Sequence, residues 1–161
     1  MQRLTNEEIE ARAARAMDLF RQGFNCSQSV FVSVADLYGI ADEALALRLS
    51  ASFGGGIGRM RQTCGAACGM FLLAGLQNGS ATPGDAEGKK QNYAFVQQLA
   101  QQFKAEHGSL ICAELLGLAP RQQQPSDPTP APRTDEYYKK RPCVEMVGNA
   151  VRMYLKTVGN E

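Results

Sequence analysis

The sequence predicts an all-α fold, a single-domain helical bundle of about six to seven helices with a Pro-rich surface loop. Three observations carry this. Apolar residues recur at helical spacing along almost the whole chain. Helix start and stop signals punctuate it from end to end. No stretch reads clearly as a strand: only "SVFVSV", residues 29–34, alternates, and it is the weakest of the helical segments.

The elements follow in order. Thr5 opens a helix with Glu8 three residues on, the spacing of a capping box. It runs to about Arg21 and stops at Gly23. Asn25 is a good N-cap for "CSQSVFVSVADLY", which ends at Gly39. A short helix covers about Asp42 to Ala51. The glycine cluster Gly54 to Gly58 reads as a flexible loop. Thr63 is placed to cap "CGAACGMFLLAGL", which fades at Asn78-Gly79, and its nearly continuous apolar surface predicts a central position. Thr82-Pro83 starts a long polar helix that Gly108 ends, since proline is tolerated in a first turn. Ser109 is placed to cap "LICAELLG". Residues 118–141 hold five of the seven prolines and read as an irregular loop. Pro142 occupies a first-turn position of the last helix, "CVEMVGNAVRMYLKTV".

A chain of 161 residues is about one domain's worth and buries a real core without staples. The balance of 44% apolar and 20% charged residues, with a net charge of +1, is that of a globular domain and gives no basis for nucleic-acid binding. The N-terminal segment is charged and helical rather than a signal peptide. No apolar run approaches the roughly 20 residues of a membrane span. The expected compartment is therefore cytoplasmic.

Five cysteines stand out: Cys26, Cys64, Cys68, Cys112 and Cys143. Dispersed cysteines in a reducing compartment point to metal binding or catalysis more than to structural disulfides, although a free cysteine is also a common small core residue. Placed on the predicted helices, Cys26, Cys64, Cys112 and Cys143 each fall in a first turn. Only Cys68 lies deeper, one turn below Cys64 on the same face. A helix start carries about half a positive charge and unpaired N–H donors, which favour thiolate over thiol.

Other features are weaker. Gly65 and Gly69 lie four apart and let another backbone approach closely, against a penalty of about 1 kcal/mol each in a helix interior. They serve either helix packing or a bound group. "GGGIGRMR" has neither the G-K-[ST] ending of a P-loop nor the G-x-G-x-x-G fingerprint. Arg59 and Arg61 are placed to hold an anion or a nearby thiolate. No cysteine precedes a histidine, so c-type haem attachment is excluded. His107, the one histidine, sits where a helix C-terminus commonly carries a basic residue.

The chain resembles the four-cysteine C_GCAxxG_C_C redox proteins, with the pattern C…CGAxxG…C…C. Cys26 matches the first position and "CGAACG", Cys64 to Gly69, the central motif. Cys112 in "GSLICAELLG" and Cys143 in "RPCVEMV" match the third and fourth. Cys68 occupies a variable position of the motif, and the Pro-rich loop looks longer than the family's usual connection. The resemblance implies a small, mostly helical, redox-active protein. It extends to part of the split-Soret cytochromes, which are dimers with an iron–sulfur centre besides their haems. It therefore implies an iron–sulfur cluster and a homodimer.

Three functions are compatible with these residues. In the first, a first-turn thiolate attacks a disulfide or oxidant, with Cys64 as the leading candidate. One of Cys26, Cys112 or Cys143 then resolves the intermediate. An unidentified redox partner protein or small oxidant exchanges the electrons. In the second, three or four thiolates drawn from Cys26, Cys64, Cys68, Cys112 and Cys143 converge on a [2Fe–2S] cluster, or on zinc. Gly65, Gly69, Arg59 and Arg61 border the bound group. In the third, the cysteines are inert and buried within a helical interaction module.

Overall fold

The computed structural model describes residues 3–119 and 127–159. Among them the chain forms eight α-helices and no strand. The first three are α1 (Asn6–Arg21), α2 (Cys26–Ala35) and α3 (Glu43–Ser50). Next come α4 (Gly65–Asn78), α5 (Ala86–His107) and α6 (Cys112–Leu115). The last two are α7 (Asp135–Lys140) and α8 (Cys143–Val158). Short 3₁₀ turns, Asp36–Tyr38 and Ala51–Phe53, extend α2 and α3.

Local chemistry sets most of these boundaries. Thr5 and Glu8 form a full capping box at the start of α1. Asn25 and Gln28 form a second at α2. The β-branched run after Cys26 is helical because α2 is enclosed: all ten of its residues are buried except Cys26 and Gln28. It packs against α1, α3, α4 and α8. The first six residues of α4, Gly65 to Met70, are buried too, while Leu76 near its end is 39% exposed. The centre of the molecule is thus α2 with the first half of α4, where the sequence pointed to α4 alone.

Several starts differ from the sequence reading. The long helix begins at Ala86, because the Asp85 carboxylate accepts the Gly88 N–H at 2.8 Å; Pro83 stays outside. Thr63 and Ser109 do not cap their helices. Thr63 instead pairs in an isolated antiparallel bridge with Ile111. Helix α4 starts directly after Cys64 and α6 directly after Ile111. The Ser109 hydroxyl accepts the Ile111 N–H at 3.0 Å and donates to Glu114. Pro142 is an N-cap rather than a first-turn residue. The Pro-rich segment is not loop throughout, since Thr134 caps α7 by accepting the Tyr137 N–H. Part of that loop, residues 120–126, lies outside the described residues.

The core joins all the long helices except α3, which contributes only Ala46. Phe20, Val30, Met70, Leu73, Leu99, Phe103 and Tyr154 are almost wholly enclosed. The Tyr154 hydroxyl donates to the Leu73 carbonyl at 3.0 Å and lies 2.6 Å from the Tyr38 hydroxyl, so this ring is satisfied although buried. No helix among the described residues is long and apolar enough to cross a membrane.

Candidate functional site

Two backbone arrangements build the site. The first is the glycine-rich segment after the second 3₁₀ turn. Gly55, Gly56, Ile57, Gly58 and Arg59 all have φ between 55° and 74°, and Arg61 follows at 60°. Glycine adopts this left-handed region freely, but Ile57, Arg59 and Arg61 do so against a penalty of about 1–2 kcal/mol each. The segment is held by its own backbone bonds, including Gly58 N–H to the Ser52 carbonyl at 2.7 Å and Gln62 N–H to the Gly56 carbonyl at 2.9 Å. Strain maintained in this way clusters at functional sites. Here it presses backbone against a thiol: a Cβ on Gly56 would lie 2.6 Å from the Cys112 Cβ.

The second arrangement is the short antiparallel contact between residues 61–64 and 110–113. Cys64 N–H donates to the Leu110 carbonyl at 2.7 Å, and Cys112 N–H donates to the Gln62 carbonyl at 2.6 Å. It brings the starts of α4 and α6 together. Gly65 brings in α2, since a Cβ there would sit 2.9 Å from the Phe53 carbonyl and 3.1 Å from the Cys26 Cβ. Helix α8 packs on α2 and brings its first residue, Cys143, beside Cys26.

The outcome is a cavity of about 50 Å³ lined by Cys26, Cys64, Cys112 and Cys143, with Arg61, Arg141 and Tyr137 on its wall. Cys64 is the N-cap of α4, and the other three are the first residues of α2, α6 and α8. All five cysteines are free. Cys68 does not line the cavity: it lies one turn inside α4, its thiol 3.7 Å from the Thr63 carbonyl.

The thiols are not equivalent. Burial pushes Cys64 up to about 12, although the Ala66 and Ala67 amides pull the other way. Burial pushes Cys68 up to about 11 and also raises Cys112, against the Arg61 guanidinium that donates to its sulfur at 3.7 Å. Cys26 and Cys143 line the same cavity, and each thiol shifts the other. The Cys26 thiol is raised, first by the neighbouring Cys143 and then by burial. Cys143 is lowered to about 7, first by the neighbouring Cys26 thiol; burial opposes this, and Arg141, Arg133 and Arg61 support it. The three guanidiniums favour negative charge on the Cys143 sulfur.

A wider cleft of about 390 Å³ adjoins the cysteine cavity. Gly55, Arg61, Tyr137 and Arg141 line both. Arg59, Arg133, Pro128 and Pro130 complete much of its wall. Arg133 is held in place by donating to the Phe20 and Phe24 carbonyls, both at 3.1 Å, and by lying over the Phe20 ring at 4.3 Å. Arg141 lies over Tyr137 at 4.4 Å. A larger groove of about 650 Å³ between α5 and α8 carries no cysteine.

The sequence-predicted residues thus divide. Arg61 and Gly65 line the cysteine cavity, and Arg59 lines the adjoining cleft. Gly69 lines neither; a Cβ there would lie 2.7 Å from the Val30 Cβ, so it is a helix-packing residue. His107 ends α5 with its ring 4.5 Å from Phe103, outside the cavity. Sequence reasoning missed Arg133, Tyr137 and Arg141, which fall in the segment read as loop. A signal was present in "RPC": an arginine two residues before a helix-start cysteine.

Among the described residues no three His, Cys, Asp or Glu side chains stand close enough to hold a metal ion. The four thiols that line one cavity are the donor type that zinc and iron–sulfur clusters use.

Fold and site together define a small helical protein with clustered cysteines. Residues 24–157 match the family described as "Putative redox-active protein (C_GCAxxG_C_C)", and the chain belongs to that family. The family name writes GCAxxG, where this chain has Cys64-Gly65-Ala66-Ala67-Cys68-Gly69. The chain is also similar to a protein of Archaeoglobus fulgidus called "Uncharacterized protein", 26% identical over 96% of this chain and 98% of the relative. No solved structure matches it.

Proposed function

We propose that this redox-active protein works by thiol–disulfide exchange, with Cys143 as the attacking thiolate and Cys26 as the resolving thiol. The observation that carries this is the meeting of Cys26 and Cys143 in one cavity with Arg61 and Arg141 on its wall, an environment that lowers Cys143 and raises Cys26. A thiol lowered to about 7 is substantially thiolate at neutral pH while still a good nucleophile, which is the optimum for attack. Cys64 was the leading nucleophile on sequence grounds, but burial to 6% exposure keeps it protonated. Its neutrality helps the pair, because a second buried negative charge would raise Cys143.

The step balances without further reagents. The Cys143 thiolate attacks one sulfur of a disulfide RS–SR, forming Cys143–S–SR and expelling RS⁻. That thiolate takes the proton from Cys26. The Cys26 sulfur then attacks Cys143, closing a Cys26–Cys143 disulfide and releasing the second RS⁻, which takes a proton from water. Two electrons pass from the protein to the substrate. A dithiol partner that reduces the new disulfide returns them.

A trapping experiment tests the assignment. With 2-hydroxyethyl disulfide at pH 7, C26S should accumulate a mixed disulfide on Cys143, visible as one adduct by intact mass. The wild type should retain none and lose two thiols. C143S should react at least tenfold more slowly. If C143S reacts at the wild-type rate, Cys143 is not the nucleophile.

A further inference from the structure

The cleft beside the cysteine cavity carries four guanidiniums, those of Arg59, Arg61, Arg133 and Arg141, and among the described residues no acidic one lines it. None of the four forms an ion pair with a carboxylate among the described residues. Nearby Asp127 forms no ion pair with Arg59: its carboxylate accepts the Thr129 N–H at 2.8 Å, and it is the Asp127 backbone carbonyl that Arg59 donates to, although the carboxylate lies within electrostatic reach of Arg59. The Cys143 thiolate and the exposed Asp127 carboxylate offset part of this charge, but four guanidiniums outnumber them, so the cleft keeps an excess of positive charge that favours an anion. Arg133 and Arg141 are oriented by carbonyls and aromatic rings rather than by acids, which fixes their positions without neutralising them. The cleft volume, about 390 Å³, lies in the range of small-molecule sites, roughly 300–1,000 Å³.

Its location gives the charge a purpose. Arg61 and Arg141 line both the cleft and the thiol cavity, so a molecule whose charged end rests on the arginines can reach inward with its sulfur. We infer that the cleft is the substrate site, and that it selects low-molecular-weight disulfides bearing carboxylate or phosphate groups. This rests on the thiol-exchange reading above and adds the substrate class. The anionic group docks on Arg59 and Arg133. The disulfide then lies toward Cys143 at the inner end, and exchange proceeds by the balanced steps already given. Guanidinium forks pair with either carboxylate or phosphate through two parallel hydrogen bonds.

The test compares three disulfides on the full-length reduced protein. Glutathione disulfide carries carboxylates, coenzyme A disulfide carries phosphates, and 2-hydroxyethyl disulfide is neutral. At least one anionic disulfide should oxidise the protein about tenfold faster than the neutral one at 10 mM salt, and the faster arm identifies the anion. The advantage should shrink at 150 mM salt, as the screening length falls from about 30 to about 8 Å. R59Q should lower the anionic-to-neutral rate ratio several-fold, and R59K should restore much of it. An anionic-to-neutral ratio near one in the wild type, unmoved by salt and by R59Q, would overturn the inference while leaving thiol exchange intact. Should none of the three disulfides oxidise Cys143, thiol exchange itself fails. Calorimetric titration with S-methylglutathione and with free coenzyme A then decides the cleft: salt-sensitive binding weakened by R59Q supports it, and no binding of either overturns it.

Discussion

Cys26 and Cys143 occupy the same kind of position, the first residue of a helix, yet their thiols are driven in opposite directions. The helix start is therefore not what separates them. The difference lies in their neighbours. Cys143 has Arg141, Arg133 and Arg61 nearby, whereas the charges near Cys26 are those of other cysteines. This gives a signed pH prediction. Carboxymethylation of Cys143 should rise with pH to a midpoint near 7 and fall away below it, as the thiolate takes up its proton. Because the neighbouring Cys26 thiol is the largest cause of the lowering, C26A should move that midpoint upward. Quantitative mass spectrometry of the Cys143 peptide, sampled from pH 5 to 10, reads both. An unchanged midpoint in C26A would show that the pair does not share a proton.

At the scale of the element, two small residues of α4 set how close it comes to α2. A methyl group on Gly69 would meet Val30 Cβ at 2.7 Å and the Ser27 carbonyl at 3.1 Å. Replacing glycine by alanine inside a helix gains about 1 kcal/mol of propensity. Overpacking a tight core costs about 1–3 kcal/mol. Here the obstacle is a β-branched side chain and a backbone carbonyl in the middle of the most enclosed pair of helices, so the steric effect wins. G69A should be less stable than wild type by about 1 kcal/mol or more in urea unfolding; a variant as stable as wild type would show that the helices can separate freely. Helix starts governed by local chemistry were legible in the sequence, as the capping boxes at Thr5 and Asn25 show. Those governed by tertiary pairing were not. Thr63 and Ser109 have the right chemistry to cap, but the contact between residues 61–64 and 110–113 takes their backbone first. Nor could composition reveal that Ile57, Arg59 and Arg61 would join glycines in a left-handed path, since only the surrounding bonds hold them there.

On the scale of the molecule, the site is assembled from chain segments dozens of residues apart, and only the packing of α2, α4 and α8 with the short α6 brings them together. The candidate cysteines were legible because helix starts are local features and thiolates are favoured there. Their relative reactivity was not, because it depends on Arg133 and Arg141, which reach the site through the tertiary placement of a segment with little helical signal. The central claim is that Cys26 and Cys143 act as one two-electron pair. Its most direct test is differential alkylation and peptide mapping of the full chain, purified without oxygen, analysed for metal and treated with one equivalent of 2-hydroxyethyl disulfide. The account predicts a Cys26–Cys143 cross-linked peptide with Cys64, Cys68 and Cys112 recovered as free thiols. A cross-link that leaves Cys143 free, or thiols that resist oxidation because stoichiometric iron or zinc is bound to them, would contradict it.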